Sequence, residues 1–400
     1  MTHPRFPTLS LCGVTLALML RICGALPAPT VGAAERGKEQ LTPLLLSAWP
    51  APVPFLGSDG NRHLVYELWI HNFSSADAVV RKIEVLDADR VLLTLEGDVL
   101  AGRIHPGGDA SRGATLGGGT MHFAAVHLNL PSDDAVPRRL THRISGRVLA
   151  APPGREEIRH VGGDVEVDLR EVVVIGPPLD GDRFIAADSC CDAVRHTRAA
   201  LPVNGRIRVA QRFAVDWEQL DAGGRIYNGL REDLHSYTIF GQPALAVADA
   251  RVVSVTDGLP EQTPGRYPED IPLDQADGNS VVLDLGGGRF ALYAHLQPGS
   301  IQVRSGEDVR RGQVLGRVGN SGNSVAPHLH FHVMDGPLPL DSNGLPYAID
   351  RFWVAGHAVS TEAFDQAEER GTPLAILPVE PPHELFRCLP MDRAIIRFGQ

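Results

Sequence analysis

The sequence lacks an excess of positive charge. Lysine and arginine together number 37 against 48 aspartates and glutamates, which gives a formal net charge of −11 at pH 7. Lysine occurs only at Lys38 and Lys82, so nearly all basic residues are arginine. Proteins that bind nucleic acid as their main partner usually carry a patch rich in lysine and arginine, and no such patch occurs here. The charge balance therefore excludes nucleic acid as the main partner.

Cysteine is also scarce, with five residues in the chain. Cys12 and Cys23 fall in an N-terminal segment that we expect to be removed, which leaves Cys190, Cys191 and Cys388. No CxxC pair is present, and this argues against a zinc site held by sulfur. In an oxidising compartment three cysteines permit one internal disulfide at most, which we expect to join Cys388 to one of the vicinal pair.

The chain has no apolar segment long enough to span a bilayer comfortably, since spanning takes about 20 residues. The apolar run 8–20 (TLSLCGVTLALML) follows Arg5 and ends at Arg21, and residues 31–35 (VGAAE) offer small side chains for cleavage. This pattern is typical of an export signal. We predict a signal peptide over residues 1–34, an exported protein of the periplasm or cell exterior, and no stable membrane insertion after signal removal. A retained membrane anchor is the alternative.

Glycine (42) and proline (31) are abundant, and together with short Val/Ile/Leu runs they favour strands and turns over long helices. Runs such as 64–73 and 120–130 recur with turn residues between them. Their spacing predicts an immunoglobulin-like β-sandwich over residues 41–178. Its scattered histidines are expected to be surface or core polar residues rather than ligands: His63, His71, His122, His127 and His142. We therefore expect a mainly β protein whose first domain carries no chemistry.

A second strand-rich region extends from residue 189 to about residue 356. It includes the run 280–296, in which three consecutive glycines, 286–288, lie between two apolar stretches and predict a hairpin. The remaining residues, 357–400, are interrupted by proline. We expect them to pack as a tail on the surface of the second domain.

Histidine recurs at every second position in residues 326–333 (APHLHFHV). In a strand, His328, His330 and His332 would point to the same face because side chains alternate. Several imidazoles on one face are costly in a core unless they are paired, and a metal ion is a common remedy. The alternative is an exposed polar face on an edge strand. Zinc needs about four ligands, so one strand cannot supply the whole site.

Three upstream residues could complete such a site. His295 lies in 293–296 (YAHL) at the end of an alternating strand, just before a glycine turn. Asp216, in 212–217 (RFAVDW), stands between apolar neighbours, which suits a ligand better than a solvated charge. His196 lies further upstream, before the Asn204-Gly205 pair that predicts a hairpin turn, and is the third candidate.

The run 306–333 (GEDVRRGQVLGRVGNSGNSVAPHLHFHV), preceded by YAHL, resembles the lysostaphin/LytM-type zinc endopeptidases. Members of that family have a duplicated-hairpin β-fold, the duplicated hybrid motif, and cut peptide cross-links of bacterial cell walls. The resemblance implies a peptidase domain over residues 189–356 with Zn²⁺ as cofactor and peptidoglycan peptide as substrate. It also implies that His328 is the general base, that His330 binds zinc, and that His295 activates water or stabilises the oxyanion.

The first zinc motif departs from the family pattern. That pattern, HxxxD, stands shortly before a Gly-x-Pro turn, here residues 241–243, but the ten residues before this turn (REDLHSYTIF) contain no such pair. We favour His196 and Asp216 as the missing ligands, with inserted residues around them, because RFAVDW resembles divergent members of the family. The other two hypotheses are a replacement site at His235 with Asp233, and a broken site without zinc.

Other enzyme and carrier classes do not fit. Lipoyl-type carriers, which share the hairpin geometry, need a lysine that this region lacks. Residues 383–387 (HELFR) lack the second histidine of HExxH, and residues 319–323 (GNSGN) do not match G-x-S-x-G. We predict a zinc metalloendopeptidase of the cell envelope that hydrolyses peptidoglycan cross-links or glycine-containing peptides. The alternative is an inactive module that binds cell-wall peptide or regulates another hydrolase.

Overall fold

The computed structural model describes residues 40–105, 113–192 and 194–399. The predicted signal peptide, residues 1–34, lies outside these ranges. From Thr42 onward the described residues form one compact unit. Among them, none of the helices has the length and apolar character needed to cross a membrane. The chain is mainly β, as the sequence predicts.

Two five-stranded antiparallel sheets form the first part of this unit. The first sheet consists of β1 (Leu44–Ala48), β2 (Phe55–Leu56), β3 (Asn61–Asn72), β6 (Ile104–His105) and β8 (Met121–Pro131). The second consists of β4 (Ala78–Asp87), β5 (Arg90–Glu96), β7 (Thr115–Leu116), β9 (Arg139–Val148) and β10 (Glu157–Glu166). The strand orders are β1-β3-β8-β6 and β10-β9-β4-β5, with β2 on β3 and β7 on β4. A short helix, α1 (Gly97–Ala101), follows β5.

The two sheets share one apolar core. In β9, every second residue from Leu140 to Val148 is buried, which is the period-two pattern of a strand with one face inward. Leu68 and Val126 of the first sheet join Ile83 and Ile144 of the second in this core. The sheets therefore enclose a common hydrophobic layer, while the immunoglobulin-like connection of the strands stays a prediction.

A twelve-stranded sheet organises most of the remaining chain. Its strands are β11 (Val173–Ile175), β12 (Gly181–Ala187), β15 (Val215–Gln219), β17 (Ala250–Thr256), β18 (Asn279–Gly286), β19 (Arg289–Leu296), β20 (Asp308–Val309), β22 (Leu329–Met334), β23 (Gly344–Leu345), β24 (Tyr347–Ala358), β25 (Ile376–Cys388) and β26 (Ala394–Phe398). The order is β11-β24-β26-β12-β15-β22-β19-β18-β17-β20, with β23 on β22 and β25 on β24. Two smaller antiparallel pairs are the hairpin of β13 (Leu201–Val203) with β14 (Arg206–Arg208), and the long-range pair of β16 (Pro243–Leu245) with β21 (Val314–Arg317). The helices are α2 (Val194–Thr197) and α3 (Thr361–Arg370).

The C-terminal segment is part of the large sheet. The expected boundary between residues 356 and 357 falls inside β24, and β26 lies between β24 and β12. The prolines that suggested an irregular tail lie in β25, which pairs with β24 off the main path of the sheet. Such a marginal strand tolerates proline because fewer of its N–H groups are needed for pairing. The structure therefore differs from the expected surface tail over residues 357–400.

The predicted disulfide is wrong. Cys190 and Cys191 are bonded to each other, and Cys388 is a buried free thiol. The disulfide lies in the loop after β12. Cys388 lies at the end of β25, where it pairs with Ile349 of β24. Burial raises the pKa of the Cys388 thiol to about 12, so this thiol stays protonated at neutral pH.

A buried ion pair connects the first sheet to the segment before β15. Arg212 donates from Nε and Nη2 to the two oxygens of Glu67, at 3.0 and 2.6 Å, and from Nη1 to the Gly344 carbonyl at 3.0 Å. The two side chains are 3% and 2% exposed. The three hydrogen bonds of the Arg212 guanidinium are thus buried. Removing Glu67 would leave the Arg212 charge without a partner inside the protein, which is costly.

We expect Glu67→Ala to lower the free energy of unfolding by about 3–5 kcal/mol, because it leaves the Arg212 charge buried without its counter-ion. The matched control is Glu157→Ala, which breaks the Arg81–Glu157 pair, whose side chains are 55% and 67% exposed. That change should cost about 1 kcal/mol or less. Urea unfolding measures both values. Equal losses in the two variants would contradict the role given to the buried pair.

Candidate metal centre

Adjacent strands of the large sheet carry the first residues of the centre. β15 pairs with β22 so that Asp216 lies opposite His330. Residues directly opposite each other share a face of the sheet, so the carboxylate and the imidazole meet there. On the other face Trp217 and Phe331 are fully buried in the main core. The alternation visible in RFAVDW and LHFHV is thus the local reason that polar and apolar side chains separate.

His196 reaches the same face from the short helix α2. The helix follows β12, which pairs with β15 and sets Ala187 opposite Asp216. The His196 side chain is 7% exposed, and its Nε2 lies 3.3 Å from Asp216 Oδ2. Pairing of β12 with β15 therefore brings this histidine to the carboxylate, although the β13–β14 hairpin separates the two residues along the chain.

Asp216 contacts three imidazoles. Its Oδ1 lies 2.7 Å from His330 Nδ1 and 3.5 Å from His328 Nε2, and its Oδ2 faces His196. One ligand atom each from His196, Asp216 and His330 lie within 4.8 Å of one another. Two imidazole nitrogens with a carboxylate oxygen form a donor set that suits zinc.

Each imidazole of the candidate ligand set has one nitrogen that faces Asp216 and a second nitrogen with another partner. His196 Nδ1 donates to the Asp188 carbonyl at 2.9 Å. His330 Nδ1 lies 2.7 Å from the ionised Asp216 Oδ1, and His330 Nε2 lies 3.0 Å from His332 Nδ1. Since a lone pair cannot face a carboxylate oxygen at this distance, His330 Nδ1 donates to Asp216 when no cation is bound, and a cation would replace that proton. Metal-binding histidines are usually oriented by such outer hydrogen bonds. The donor set therefore fits a zinc ion, which would replace the protons that His196 and His330 share with Asp216.

His332 is fully buried rather than on the surface. Its Nδ1 shares a hydrogen bond with His330 Nε2, and its own Nε2 has no hydrogen-bond partner among the residues described. Burial, followed by the neighbouring His330, holds the pKa of His332 well below its usual range. The neutral ring can therefore orient His330 in either state: it donates to His330 Nε2 when His330 Nδ1 donates to Asp216, and it would accept from His330 Nε2 when Nδ1 binds a cation.

The charges of the three candidate ligands suit a cation. Burial alone would raise the pKa of Asp216, but the imidazoles of His196, His328 and His330 hold it well below its usual range. Burial lowers the pKa of His330 in spite of Asp216. For His196, burial is outweighed by Asp216 and Asp188, which raise the pKa to about 9. Metal binding requires an ionised carboxylate and neutral imidazoles. The positive charge that the proton on His196 supplies beside Asp216 would then come from the bound cation.

Two further imidazoles stand beside this group. His295 Nδ1 donates to the Ser321 carbonyl and His328 Nδ1 to the Ala326 carbonyl, each at 2.8 Å. Their ring centroids are 4.8 Å apart, and both belong with His330 to a set whose ligand atoms lie within 4.8 Å of one another. Burial, His328 and His330 hold the pKa of His295 well below its usual range, so His295 is neutral.

The backbone of His295 is strained. Its φ is +61°, in the left-handed region that side-chain-bearing residues seldom adopt. Its N–H donates to the Asp277 carbonyl at 2.9 Å, and its carbonyl accepts from Gly319 N–H at 3.0 Å. Such strain persists only where the surroundings hold it, and it is concentrated at functional sites.

All of these histidines except His332 line one open cavity of about 570 Å³. The cavity wall also contains residues that the motifs did not indicate: Glu218, Arg231, Tyr267 and Glu368. Glu218 stands two positions after Asp216 in β15, so strand alternation could have revealed it. Glu368 comes from α3, and no local signal links that helix to the site.

The alternative first motif lies elsewhere. His235 is exposed, its ring packs edge-on against Phe240 with centroids 5.2 Å apart, and its N–H donates to Asp233 Oδ1 at 3.0 Å. The described residues therefore bring His196 and Asp216 together with His330, whereas His235 lies in a short 3₁₀ helix, Leu234–Ser236, that Asp233 caps.

Comparison with known proteins gives a family for part of the chain. Residues 235–342 match the family described as Peptidase family M23. This confirms the resemblance inferred from the histidine motif. His295, His328 and His330 lie within the matched segment, whereas His196 and Asp216 lie before it.

Curated relatives match over a short stretch. The peptidoglycan DD-endopeptidase ShyA of Vibrio cholerae serotype O1 is 37% identical over 65 residues, or 16% of this chain and 15% of that protein. The DD-carboxypeptidase/endopeptidase Mpg of Neisseria meningitidis serogroup B is 38% identical over 64 residues, or 16% and 14%. This chain thus covers far less than two thirds of either relative.

Among solved structures, the catalytic domain of lysostaphin from Staphylococcus simulans is 24% identical, with 34% of this chain and 71% of that chain covered and a TM-score of 0.20. A zinc containing peptidase from Vibrio cholerae is 16% identical, with 73% and 83% covered and a TM-score of 0.25.

Proposed function

We propose that this chain, which carries a peptidase family M23 domain at residues 235–342, is a zinc-dependent endopeptidase of the bacterial cell envelope. Its substrates would be peptide bonds in peptidoglycan cross-links or in other glycine-containing peptides. The observation that supports this most is the convergence of His196, Asp216 and His330 beside two further imidazoles in one open cavity. The names of the curated relatives, a peptidoglycan DD-endopeptidase and a DD-carboxypeptidase/endopeptidase, support the substrate class.

His196, Asp216 and His330 would hold the zinc ion, which when bound polarises the scissile carbonyl and lowers the pKa of water toward about 7. His328 is the general base in this proposal. Its Nδ1–H is held by the Ala326 carbonyl, so the lone pair is on Nε2, the nitrogen that lies 3.5 Å from Asp216. A base in this position can take a proton from a water molecule beside the ligands.

His295 has the same tautomer. Because its Nδ1–H is bonded to the Ser321 carbonyl and the ring is neutral, its other nitrogen is a hydrogen-bond acceptor. We therefore assign His295 to orienting the attacking water. It would donate to a developing oxyanion only after it gains a proton.

The test is release of new amino termini from purified peptidoglycan by the mature protein, with zinc content measured on the same sample. We expect about one zinc per chain, loss of release after chelation, and recovery when zinc is restored. His330→Ala should lose both zinc and activity, whereas the control His235→Ala should keep both. Zinc without amine release would favour the inactive peptide-binding module, and a chain that takes up no zinc would refute the proposal.

A further inference from the structure

A second group of imidazole and sulfur atoms shares no residue with the candidate metal centre. It lies where β3 and β8 of the first sheet meet the loop after β12. His63 Nδ1 is 2.9 Å from His127 Nε2, and Cys191 completes a set whose ligand atoms lie within 4.8 Å of one another. The His63 side chain is fully buried, His127 is 13% exposed and Cys191 is 4% exposed.

The outer nitrogens of both rings are held by carboxylates. His63 Nε2 donates to Asp59 Oδ1 at 2.9 Å, and His127 Nδ1 donates to Asp192 Oδ2 at 3.2 Å. Asp192 is fixed in turn by Arg103 at 2.6 Å. A carboxylate on the outer N–H is the usual support of a metal-binding histidine. The inner nitrogens, His63 Nδ1 and His127 Nε2, are therefore turned toward each other.

Close packing holds the His63 end of this arrangement. A Cβ on Gly57 would lie 2.6 Å from His63 Nε2 and 2.7 Å from Asp59 Oδ1, so a side chain at this position would displace the pair. Phe55 covers the His63 ring, with centroids 5.4 Å apart.

The protons in this chain of contacts can be counted. Two lone pairs cannot face each other at 2.9 Å, so one proton must lie between the two inner nitrogens. The row Asp59–His63–His127–Asp192 contains three hydrogen bonds, and these need three protons on the two rings. Two neutral imidazoles carry two protons, so one of the two rings is an imidazolium. A charged ring beside the fully buried His63 is costly. A metal cation between the inner nitrogens would replace the shared proton and bind both lone pairs.

The third ligand atom belongs to a disulfide. Cys191 is bonded to Cys190, and a sulfur in a disulfide is not the thiolate that binds metals. We propose that reduction of the Cys190–Cys191 bond opens a site for one zinc-class ion at His63, His127 and Cys191. Two imidazoles with one thiolate suit such a borderline-soft ion.

The reduction balances with a dithiol as reductant. The dithiol breaks the Cys190–Cys191 bond, supplies two electrons and two protons to form two thiols, and is itself oxidised to a disulfide. Metal binding then releases the proton of the Cys191 thiol. The disulfide and the bound ion therefore exclude each other. This inference does not depend on the proposed peptidase activity.

A matched pair of variants tests the site. Cys190→Ser and Cys191→Ser both remove the disulfide, but only the first keeps the ligand. Both changes are made in a protein that also carries His330→Ala, so that the candidate metal centre does not compete for metal. Each variant is then titrated with Co²⁺. The signal is a thiolate-to-cobalt charge-transfer band in the near ultraviolet. We expect Cys190→Ser to bind about one equivalent with this band and Cys191→Ser to show no such band. Adding His127→Gln to Cys190→Ser should weaken binding more than about tenfold.

The single His330→Ala variant gives a second measurement that needs no change at the cysteines. It should bind about one more equivalent of Co²⁺ after dithiol reduction than before it. Circular dichroism checks that the variants are folded. Equal binding before and after reduction would overturn the proposal, and so would equal charge-transfer bands in the two cysteine variants. A failure of the zinc assay on the unreduced protein would refute the peptidase proposal alone.

Discussion

Asp216→Ala is expected to abolish zinc binding and peptide hydrolysis together. This aspartate is the carboxylate that contacts His196, His328 and His330, and these imidazoles keep it ionised although burial raises its pKa. Without Asp216, the zinc ion would have only neutral imidazole ligands from the protein, and no negative charge would balance its own. Loss of an outer partner weakens metal binding by about 10–100-fold, so loss of a direct ligand should exceed about 100-fold. Competition with a chromophoric chelator measures the affinity.

Two further variants show whether the loss of zinc comes from the Asp216 charge. Asp216→Asn keeps the volume of the side chain and removes its charge, so it should lose zinc as Asp216→Ala does, without a cavity in the strand. Asp249→Ala is the matched control, because Asp249 is exposed, lies outside the candidate metal centre, and accepts a hydrogen bond from the Arg311 N–H at 2.8 Å. Zinc affinity within tenfold of the unmodified protein in both Asp216 variants would remove Asp216 from the ligand set.

His328→Ala is expected to lower kcat by about 10²–10⁴-fold while zinc content stays the same. The range is the usual contribution of a general base. Zinc should remain because the three proposed ligands are unaltered, and KM should change less than kcat because the base acts in the transition state. Steady-state kinetics on the zinc-loaded variant, with metal analysis of the same sample, measure both quantities.

The two histidines of the HxH pair should separate in this assay. His330→Ala loses metal and activity, whereas His328→Ala loses activity alone. If His328→Ala also loses its zinc, then His328 is a ligand and the assignment of the base fails. If the variant keeps both zinc and full activity, the base is another group at the cavity, and His295 is the next candidate because its neutral ring also presents an acceptor.

The part of the site that was predictable from local sequence lies on single strands. Alternation within one strand decides that His330 and His332 share a face, and this needs no knowledge of neighbouring strands. The apolar residues beside Asp216 likewise indicated a strand with one polar side chain among buried ones. Both signals depend on the period of the backbone, which the sequence carries directly.

Residues brought in from other elements were harder to predict. Choosing His196 over His235 depends on the pairing of β12 with β15, and Glu368 joins the cavity from α3. The closeness of His63 and His127 also depends on how β3 lies against β8. None of these pairings has a local signature, because strands that are distant in the chain must first find their register.

By itself, the amino-acid sequence determined the mainly β character, the net negative charge, and the strand that presents the histidine pair, since composition and alternation act locally. Tertiary structure alone decided which carboxylate and which upstream histidine meet that pair, which cysteines bond, and that β26 enters the large sheet. Those outcomes depend on contacts between distant segments, whose geometry is established only when the sheet assembles.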